Sequence, residues 1–323
     1  MFVRCVAVCG IFVAVAATAA SDPFAPLAPT VQLSQDDRDR LNKRQIVVKI
    51  LPAQDRELAV VAAAALNTDS DSLLSSVRRI ADLKRGRFVP QIHRISARPI
   101  VEDFRELTLD DVDRREIAKC RPDDCDLKLT SDEMTRLQAA GAGVDEEFRR
   151  MLVRRAERYL AEGQRMGDRE FTALLQHSPY LHQHLPELAG HLARYPASPA
   201  QGAESFLYWS KEVYAWKPMI TLTHVTMMRG DGRPSWPDVV IAARDIFSTR
   251  YTSASLTLTL LLHDGADPSR RYLVYLNRTW VDGVRALWRP FVEYRIKSQA
   301  KSVFAAVRDR IERAGTETAA ARR

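Results

Sequence analysis

The residues whose types best suit ligand contact lie in the second half of the chain. Tyr208 and Trp209 precede Lys211, and aromatic rings beside a charged group can line the mouth of an apolar cavity and hold a polar headgroup. The same residues would also fit a buried core cluster beside an exposed ion pair, because aromatic side chains are usually buried. The predicted ligand-binding residues are Tyr208, Trp209, Lys211, His224, Tyr251 and Arg278.

Two of these residues lie in runs that are typical of β-strands. His224 shares its predicted strand face with apolar residues such as Leu222. It would be the polar contact of a cavity on that face, or else a hydrogen-bonded core histidine. Arg278 carries a planar guanidinium that can bind an anionic headgroup, and the alternative is an ordinary ion pair with Asp282.

Searches for metal and catalytic motifs find no match in the sequence. Four histidines fall in one stretch: His177, His182, His184 and His191. Their spacings of five, two and seven residues differ from the three or four that place two metal ligands on one helix face. The chain has no Gly-x-Ser-x-Gly elbow, no His-Glu-x-x-His motif, no phosphate-binding glycine loop and no dinucleotide fingerprint. We predict that the protein binds no metal and no cofactor. Whether it is an enzyme stays open, and a protein without catalytic activity is favoured.

The first 19 residues have the layout of a cleavable secretory signal. Arg4 precedes an uncharged apolar run, and Ala17-Thr18-Ala19 ends the segment in a small-x-small pattern. A membrane anchor is less favoured, because the apolar run is too short to span a bilayer comfortably. We predict export and cleavage, which would make the mature protein periplasmic or secreted.

Cleavage would leave two cysteines, Cys120 and Cys125. In an oxidising compartment a disulfide is the expected state of such a pair, and a loop this short would stabilise the fold by about 2 kcal/mol. A zinc site would need further ligands nearby, and a catalytic dithiol usually has two residues between its cysteines. We predict a structural disulfide.

The composition excludes several classes of protein. The 323 residues include 48 Lys and Arg against 41 Asp and Glu, and 46% are hydrophobic, so the chain can bury a sizeable core and is not disordered. The net charge of +7 favours anionic surfaces slightly, but the basic residues are interleaved with acidic ones. We predict no nucleic-acid partner and leave open a contact between a membrane surface and the basic face of the C-terminal helix.

The order of predicted elements indicates an α+β fold. Residues 20–44 lack a hydrophobic period and are predicted to be a flexible leader. Residues 45–314 are predicted to be one domain with a helical insertion at about 100–200, and 315–323 a tail. Within the domain, short strands at 46–50 and 57–66 flank turn residues and predict a hairpin.

The chain after the insertion is predicted to form an antiparallel sheet and a long helix. Four runs at strand spacing are joined by turns: 219–228, 239–247, 255–263 and 271–279. In the third run, Leu256 and Leu258 alternate with Thr257 and Thr259. An amphipathic helix from about Pro290 to Ala314 is the expected cover for the apolar face of the sheet.

This arrangement resembles the START-like, helix-grip superfamily, in which a curved antiparallel sheet wraps a C-terminal helix. The resemblance is carried by Glu57–Arg85 and Phe206–Ala314, whereas the helical block at 100–200 departs from it. Three motifs are similar to those of an uncharacterised family of exported bacterial proteins: Cys120-Arg121-Pro122-Asp123-Asp124-Cys125, Phe206-Leu207-Tyr208-Trp209-Ser210-Lys211-Glu212 and Tyr272-Leu273-Val274-Tyr275-Leu276-Asn277-Arg278. The resemblance implies a cavity for a hydrophobic ligand between sheet and helix, and it implies no particular activity.

Three functional hypotheses follow. The first is an exported protein that binds a lipid or another hydrophobic small molecule in the cavity. The second is a structural or interaction protein whose cavity is filled by side chains. The third is an enzyme that uses scattered polar residues of the cavity, and it predicts an ionisable group with a perturbed pKa at the cavity wall.

Overall fold

The structure, a computed structural model, describes residues 22–321 apart from 55, 123, 164, 215, 233–235, 266, 268 and 283–288. The predicted signal peptide therefore lies outside the described residues.

The fold is α+β, as predicted, and is built on an eight-stranded antiparallel sheet. The strands are β1 Val47–Leu51, β2 Glu57–Leu66, β3 Gln91–Arg94, β4 Glu204–Glu212, β5 Met219–Arg229, β6 Val239–Ser248, β7 Thr252–His263 and β8 Arg271–Val281. Their spatial order is β1-β2-β8-β7-β6-β5-β4-β3. Strands β4 to β8 pair with their sequence neighbours, and β2 closes the row against β8.

The described α-helices fall into four groups along the chain. One helix precedes the sheet, α1 Gln35–Asn42, and two follow β2, α2 Ser70–Arg78 and α3 Ile80–Lys84. Six lie between β3 and β4: α4 Asp111–Lys119, α5 Ser131–Ala139, α6 Val144–Glu162, α7 Asp168–Gln176, α8 Pro179–His184 and α9 Pro186–Arg194. The last is the long α10 Arg289–Ala321. We call these six helices, which lie at positions predicted to be the helical insertion, the helical block.

Helix α10 packs along β1 and β2 and against α2. Its Phe304 and Ile311 are buried in a core that includes Val60 and Ala62 of the sheet and Leu73 of α2. Burying side chains of this size stabilises the fold by about 1.5–3 kcal/mol each. The arrangement of sheet and C-terminal helix is consistent with a helix grip, as the sequence predicts.

The other face of the sheet is covered by the helical block and by the N-terminal segment. The predicted leucine stripe of β7, including Leu256 and Leu258, is buried here with Phe171 of α7 and Leu192 of α9. The expectation that α10 covers the one apolar face is thus incomplete. Both faces of the sheet are apolar over much of their area, and each has its own cover.

The predicted flexible leader is instead packed on the sheet, so this prediction is wrong for residues 22–44. Phe24 and Leu27 are buried against the face that carries the leucine stripe. Ser34 caps α1 in a capping box with Asp37, and Leu41 of that helix is fully buried. An aperiodic segment can dock through single apolar residues, and no hydrophobic period reveals this.

The aromatic segment that contains Tyr208 and Trp209 is itself a strand, β4, although it is not among the four strand runs predicted for this part of the chain. Alternate residues of β4 enter different cores, because Tyr208 packs beneath α10 and Trp209 packs beneath the helical block. Aromatic residues favour strands, and this property outweighs the interspersed Ser210 and Lys211.

The disulfide between Cys120 and Cys125 is present, with its Cα atoms 4.8 Å apart. It joins the end of α4 to the loop that leads into α5. The predicted structural link between two short helices is therefore confirmed.

A glycine allows the helical block to approach the sheet closely. Gly167 precedes α7 with a φ of +67°, and a Cβ there would lie 2.0 Å from the carbonyl oxygen of Ser253 on β7. The adjacent Met166 amide donates to the carbonyl oxygen of Ile246 on β6 at 3.0 Å. No other residue type fits this contact without separating the two layers.

We expect Gly167→Ala to lower the free energy of unfolding well beyond the about 1–2 kcal/mol that a positive φ alone costs. Gly141→Ala is the matched control, since Gly141 also has a positive φ, +52°, but a Cβ there meets nothing within 4 Å. Chemical denaturation of both variants measures the difference. Equal losses of stability would contradict the close contact at Gly167.

Candidate functional site

A row of polar side chains crosses the face of the sheet that is turned toward α10. Tyr208 of β4 is paired with Thr223 of β5, and Thr223 with Asp245 of β6. Thr257 of β7 is paired with Asn277 of β8. With neighbours from other elements they form what we call the polar cleft: Lys84, Tyr208, Glu212, Tyr214, Thr223, Asp245, Ser255, Thr257, Tyr275 and Asn277.

The polar cleft is partly accessible to solvent although it lies on central strands. Asp245, Thr257 and Asn277 are half-buried, whereas Tyr208 and Thr223 of the same row are buried. The opposite face of the same strands is closed by the helical block. Among the described residues, the cover on the α10 side is therefore incomplete at Asp245, Thr257 and Asn277.

Lys84, at the end of α3, reaches into the polar cleft. Its ammonium donates to the hydroxyl of Tyr208 at 2.8 Å and lies 3.7 Å from a carboxylate oxygen of Glu212. Burial opposes the charge on Lys84, but its neighbours Tyr208, Glu212 and Tyr214 outweigh this effect and raise the pKa of the ammonium well above its usual range. Lys84 is therefore a fixed positive charge at neutral pH.

Asp245 is held by two hydroxyl groups of neighbouring strands. Thr223 and Ser255 donate to its two carboxylate oxygens at 2.8 and 2.6 Å. Burial raises the pKa of Asp245 above its ordinary value, and the nearby charge of Glu212 adds to the increase. The polar cleft therefore combines one cation with two acidic groups in different environments.

Aromatic rings form the sides of the polar cleft. Tyr214 stacks on Phe88, with ring centroids 5.4 Å apart, and Tyr275 lies 6.3 Å from Phe304 of α10. Burial raises the pKa of Tyr214 and of Tyr275, so both phenols stay protonated. They offer hydrogen bonds at the edge of apolar surface.

Of the predicted ligand-binding residues, Tyr208 lies in the polar cleft, whereas Trp209 and Lys211 project from the opposite face of β4. The Trp209 indole donates to the carbonyl oxygen of Asp103 at 2.7 Å. The Lys211 ammonium donates to the carboxylate of Asp110 at 2.6 Å. These two side chains attach the helical block to the sheet.

His224 also faces the helical block. Its Nδ1 is 2.7 Å from the hydroxyl of Tyr159 on α6, and the imidazole is almost completely buried. Burial, with smaller contributions from Arg244 and His191, lowers the pKa of His224 to about 3. His224 is therefore a hydrogen-bonded core histidine, which is the alternative that the sequence left open to a contact in a cavity.

Tyr251 and Arg278 lie apart from the polar cleft. Tyr251 is in the turn between β6 and β7, where its hydroxyl accepts a hydrogen bond from the amide of Lys217 at 3.0 Å. Arg278 forms an ion pair with the fully buried Glu57, which also contacts His177 at 2.5 Å. Arg278 therefore pairs with Glu57, and the predicted alternative partner Asp282 contacts Lys128 instead.

Most residues of the polar cleft are not among the predicted ligand-binding residues. The clearest indication of this site in the sequence is Asp245, a single carboxylate within a strand run. Thr257 is predicted to lie on the face opposite the leucine stripe. Lys84 gave no signal, since a lysine at the end of an amphipathic helix is ordinarily solvated. Its position depends on how α3 crosses the sheet.

Neither protein-family models nor curated proteins match this chain. In the described ranges, no three or more His, Cys, Asp or Glu side chains are grouped so that they could hold a metal ion. Among the helices that the structure describes, none is long and apolar enough to span a membrane.

We expect the buried neutral imidazole of His224 to make the protein sensitive to acid. Because its folded pKa is depressed from 6.5 to about 3, the unfolded chain binds one more proton between these values. Stability is therefore present above about pH 6.5 and is lost as the pH falls, by at most about 1.4 kcal/mol per pH unit. His224→Gln should remove this contribution, measured as the unfolding free energy from pH 7 to pH 4.

Tyr159→Phe is the control for this experiment. It removes the hydrogen bond to Nδ1 but keeps the buried imidazole, so its pH dependence should follow the wild type at lower overall stability. A His224→Gln protein with the same acid slope as the wild type would contradict the assignment.

Proposed function

We propose that this protein binds an amphipathic lipid or another hydrophobic small molecule in the polar cleft between the sheet and α10. The observation that supports the proposal is the row of polar groups, half-buried at Asp245, Thr257 and Asn277, on a sheet face that is otherwise apolar. A closed structural core would have apolar side chains at these positions, because burying a polar group without a hydrogen-bond partner costs free energy.

The two ends of this sheet face differ in polarity, which supports a ligand with two chemically different ends. Toward one end of the strands, Met227 and Ile241 are buried beneath α2 and α10. Toward the other end lie Lys84, Glu212 and Asp245. An apolar tail would pack on half-buried residues such as Ile296 and Ala300 of α10, and a hydroxyl- or anion-bearing head would contact Lys84 and the phenols.

Export to the periplasm or the medium is part of the same proposal. Its support is the predicted signal peptide together with the disulfide of Cys120 and Cys125, which fits an oxidising compartment. Contact with a membrane surface through the basic residues of α10 would give access to a lipid.

Native mass spectrometry of the mature wild type, before and after organic extraction, tests the binding. We expect a stoichiometric adduct of lipid size that extraction removes and that rebinds on titration. Lys84→Met should weaken rebinding at least about tenfold, since a hydrogen bond to a charged group contributes about 1.5–3 kcal/mol.

Lys49→Met is the matched control. Lys49 pairs with Asp37 at 2.8 Å in the N-terminal segment, so the variant should bind as the wild type does. A clean unliganded mass, with no thermal shift across a panel of lipids, would contradict the proposal and favour a structural or interaction protein.

One observation favours a second candidate function, general acid catalysis. Burial and the charge of Glu212 raise the pKa of Asp245, and enzymes shift the pKa of a general acid in this direction. Lys84 would then orient the substrate rather than only bind it.

Incubation of the extracted ligand with fresh wild-type protein distinguishes the two functions. If Asp245 acts as an acid, the ligand should change mass over time, and Asp245→Asn should abolish the change while still binding. Thr223→Val, which removes one donor to the carboxylate, should slow the change without abolishing it. A ligand that is recovered unaltered from the wild type contradicts the catalytic role.

A further inference from the structure

Arg244 of β6 is a buried cation whose charge is incompletely compensated. Its side chain is fully buried on the sheet face that is opposite to the polar cleft. Nη1 donates to the carbonyl oxygen of Leu192 at 2.5 Å, and the guanidinium lies over the ring of Phe171 at 3.5 Å. Its Nε and Nη2 have no hydrogen-bond partner among the described residues.

A second buried arginine of the same protein has the carboxylate partners that Arg244 lacks among the described residues. Arg250 is also almost completely buried, and it forms ion pairs with Asp113, at 2.7 Å, and with Glu116. Arg244 has no such carboxylate in the described part of the chain. A buried guanidinium without an anion is costly, so Arg244 requires a negative partner.

Charged groups of both signs lie near Arg244, but none of the described residues forms an ion pair with it. Burial lowers the pKa of Arg244 to about 10. Arg165 adds to this decrease, whereas Tyr159, Asp168 and Asp245 oppose it, and the group remains protonated at neutral pH. Arg165 is itself largely buried, and its ion-pair partner Asp168 is mostly exposed. Asp245, the next residue on β6, points to the polar cleft and is held there by Thr223 and Ser255.

His224 adds another unused donor beside Arg244. The two residues are directly opposite each other on β5 and β6. The Tyr159 hydroxyl lies 2.7 Å from Nδ1 and has no other acceptor among the described hydrogen bonds, so we assign the hydroxyl as the donor to Nδ1. The neutral ring then carries its own proton on Nε2, which has no partner in the described structure.

We propose that a small monovalent anion of chloride size binds between Arg244 and His224, inside the core beneath the helical block. The unused groups on these two side chains are all N–H donors. A water molecule would accept one or two of these hydrogen bonds but would leave the charge of Arg244 unbalanced. The enclosure by Tyr159, Phe171 and Leu192, all almost fully buried, excludes a large organic anion. The site is independent of the ligand proposed for the polar cleft.

Thermal unfolding in sodium chloride and in sodium gluconate at equal ionic strength tests the site. An anion that binds only the folded protein raises the folding equilibrium constant about tenfold for each tenfold rise in its concentration above Kd. The wild type should show this rise with chloride and bromide but not with gluconate. Arg244→Met should lose the dependence on the anion.

Arg150→Met is the matched control, because it removes one positive charge from a mostly exposed side chain and should keep the chloride dependence. If Arg244→Met does not fold, crystals of the wild type grown in sodium bromide provide the answer. Anomalous density for bromide in contact with Arg244 supports the proposal. A wild type without halide-specific stabilisation, or a bromide crystal with only water at Arg244, overturns it.

Discussion

The structure depends on one constraint, which is that successive residues of a β-strand point to opposite faces of the sheet. Here other elements pack on both faces, so the long strands contribute to two different interiors. The face under α10 combines an apolar core with the polar cleft. The face under the helical block carries the leucine stripe of β7 and, further along the sheet, Trp209 and His224. Adjacent residues such as Arg244 and Asp245 therefore have unrelated environments.

The helical block is attached to the sheet through buried polar contacts as well as through apolar packing. Arg250 pairs with Asp113, Lys211 with Asp110, and the Trp209 indole donates to the Asp103 carbonyl. Breaking one member of a buried ion pair is strongly destabilising, because it leaves the other charge uncompensated. Such contacts also fix one orientation of the block, since the charged groups must meet at specific positions. The block holds the sheet from one side and leaves the polar cleft open on the other.

The two proposed sites differ in the kind of chemistry that they can support. The polar cleft is partly accessible to solvent and contains a cation, two acidic groups and several hydroxyls, which suits reversible recognition of a ligand with polar and apolar parts. The site at Arg244 and His224 is enclosed, and its unused polar groups are all donors, which suits a small bound anion. The β-sheet separates them, and the alternation of β6 supplies Asp245 to one and Arg244 to the other.

The sequence by itself determined the local elements and their order. Hydrophobic period and turn residues predicted the hairpin of β1 and β2, the strands β5 to β8 and the helix α10, because these depend on residues close in the chain. The two cysteines left after the predicted cleavage indicated the disulfide. The docking of residues 22–44 and the strand character of β4 depend on surfaces supplied by distant segments. The tertiary structure alone decided which element covers each face of a strand. It brought Lys84, Tyr208 and Asp245 together from three elements and left Arg278 with Glu57, because pairing register and the crossing of α3 over the sheet have no signature in a local pattern.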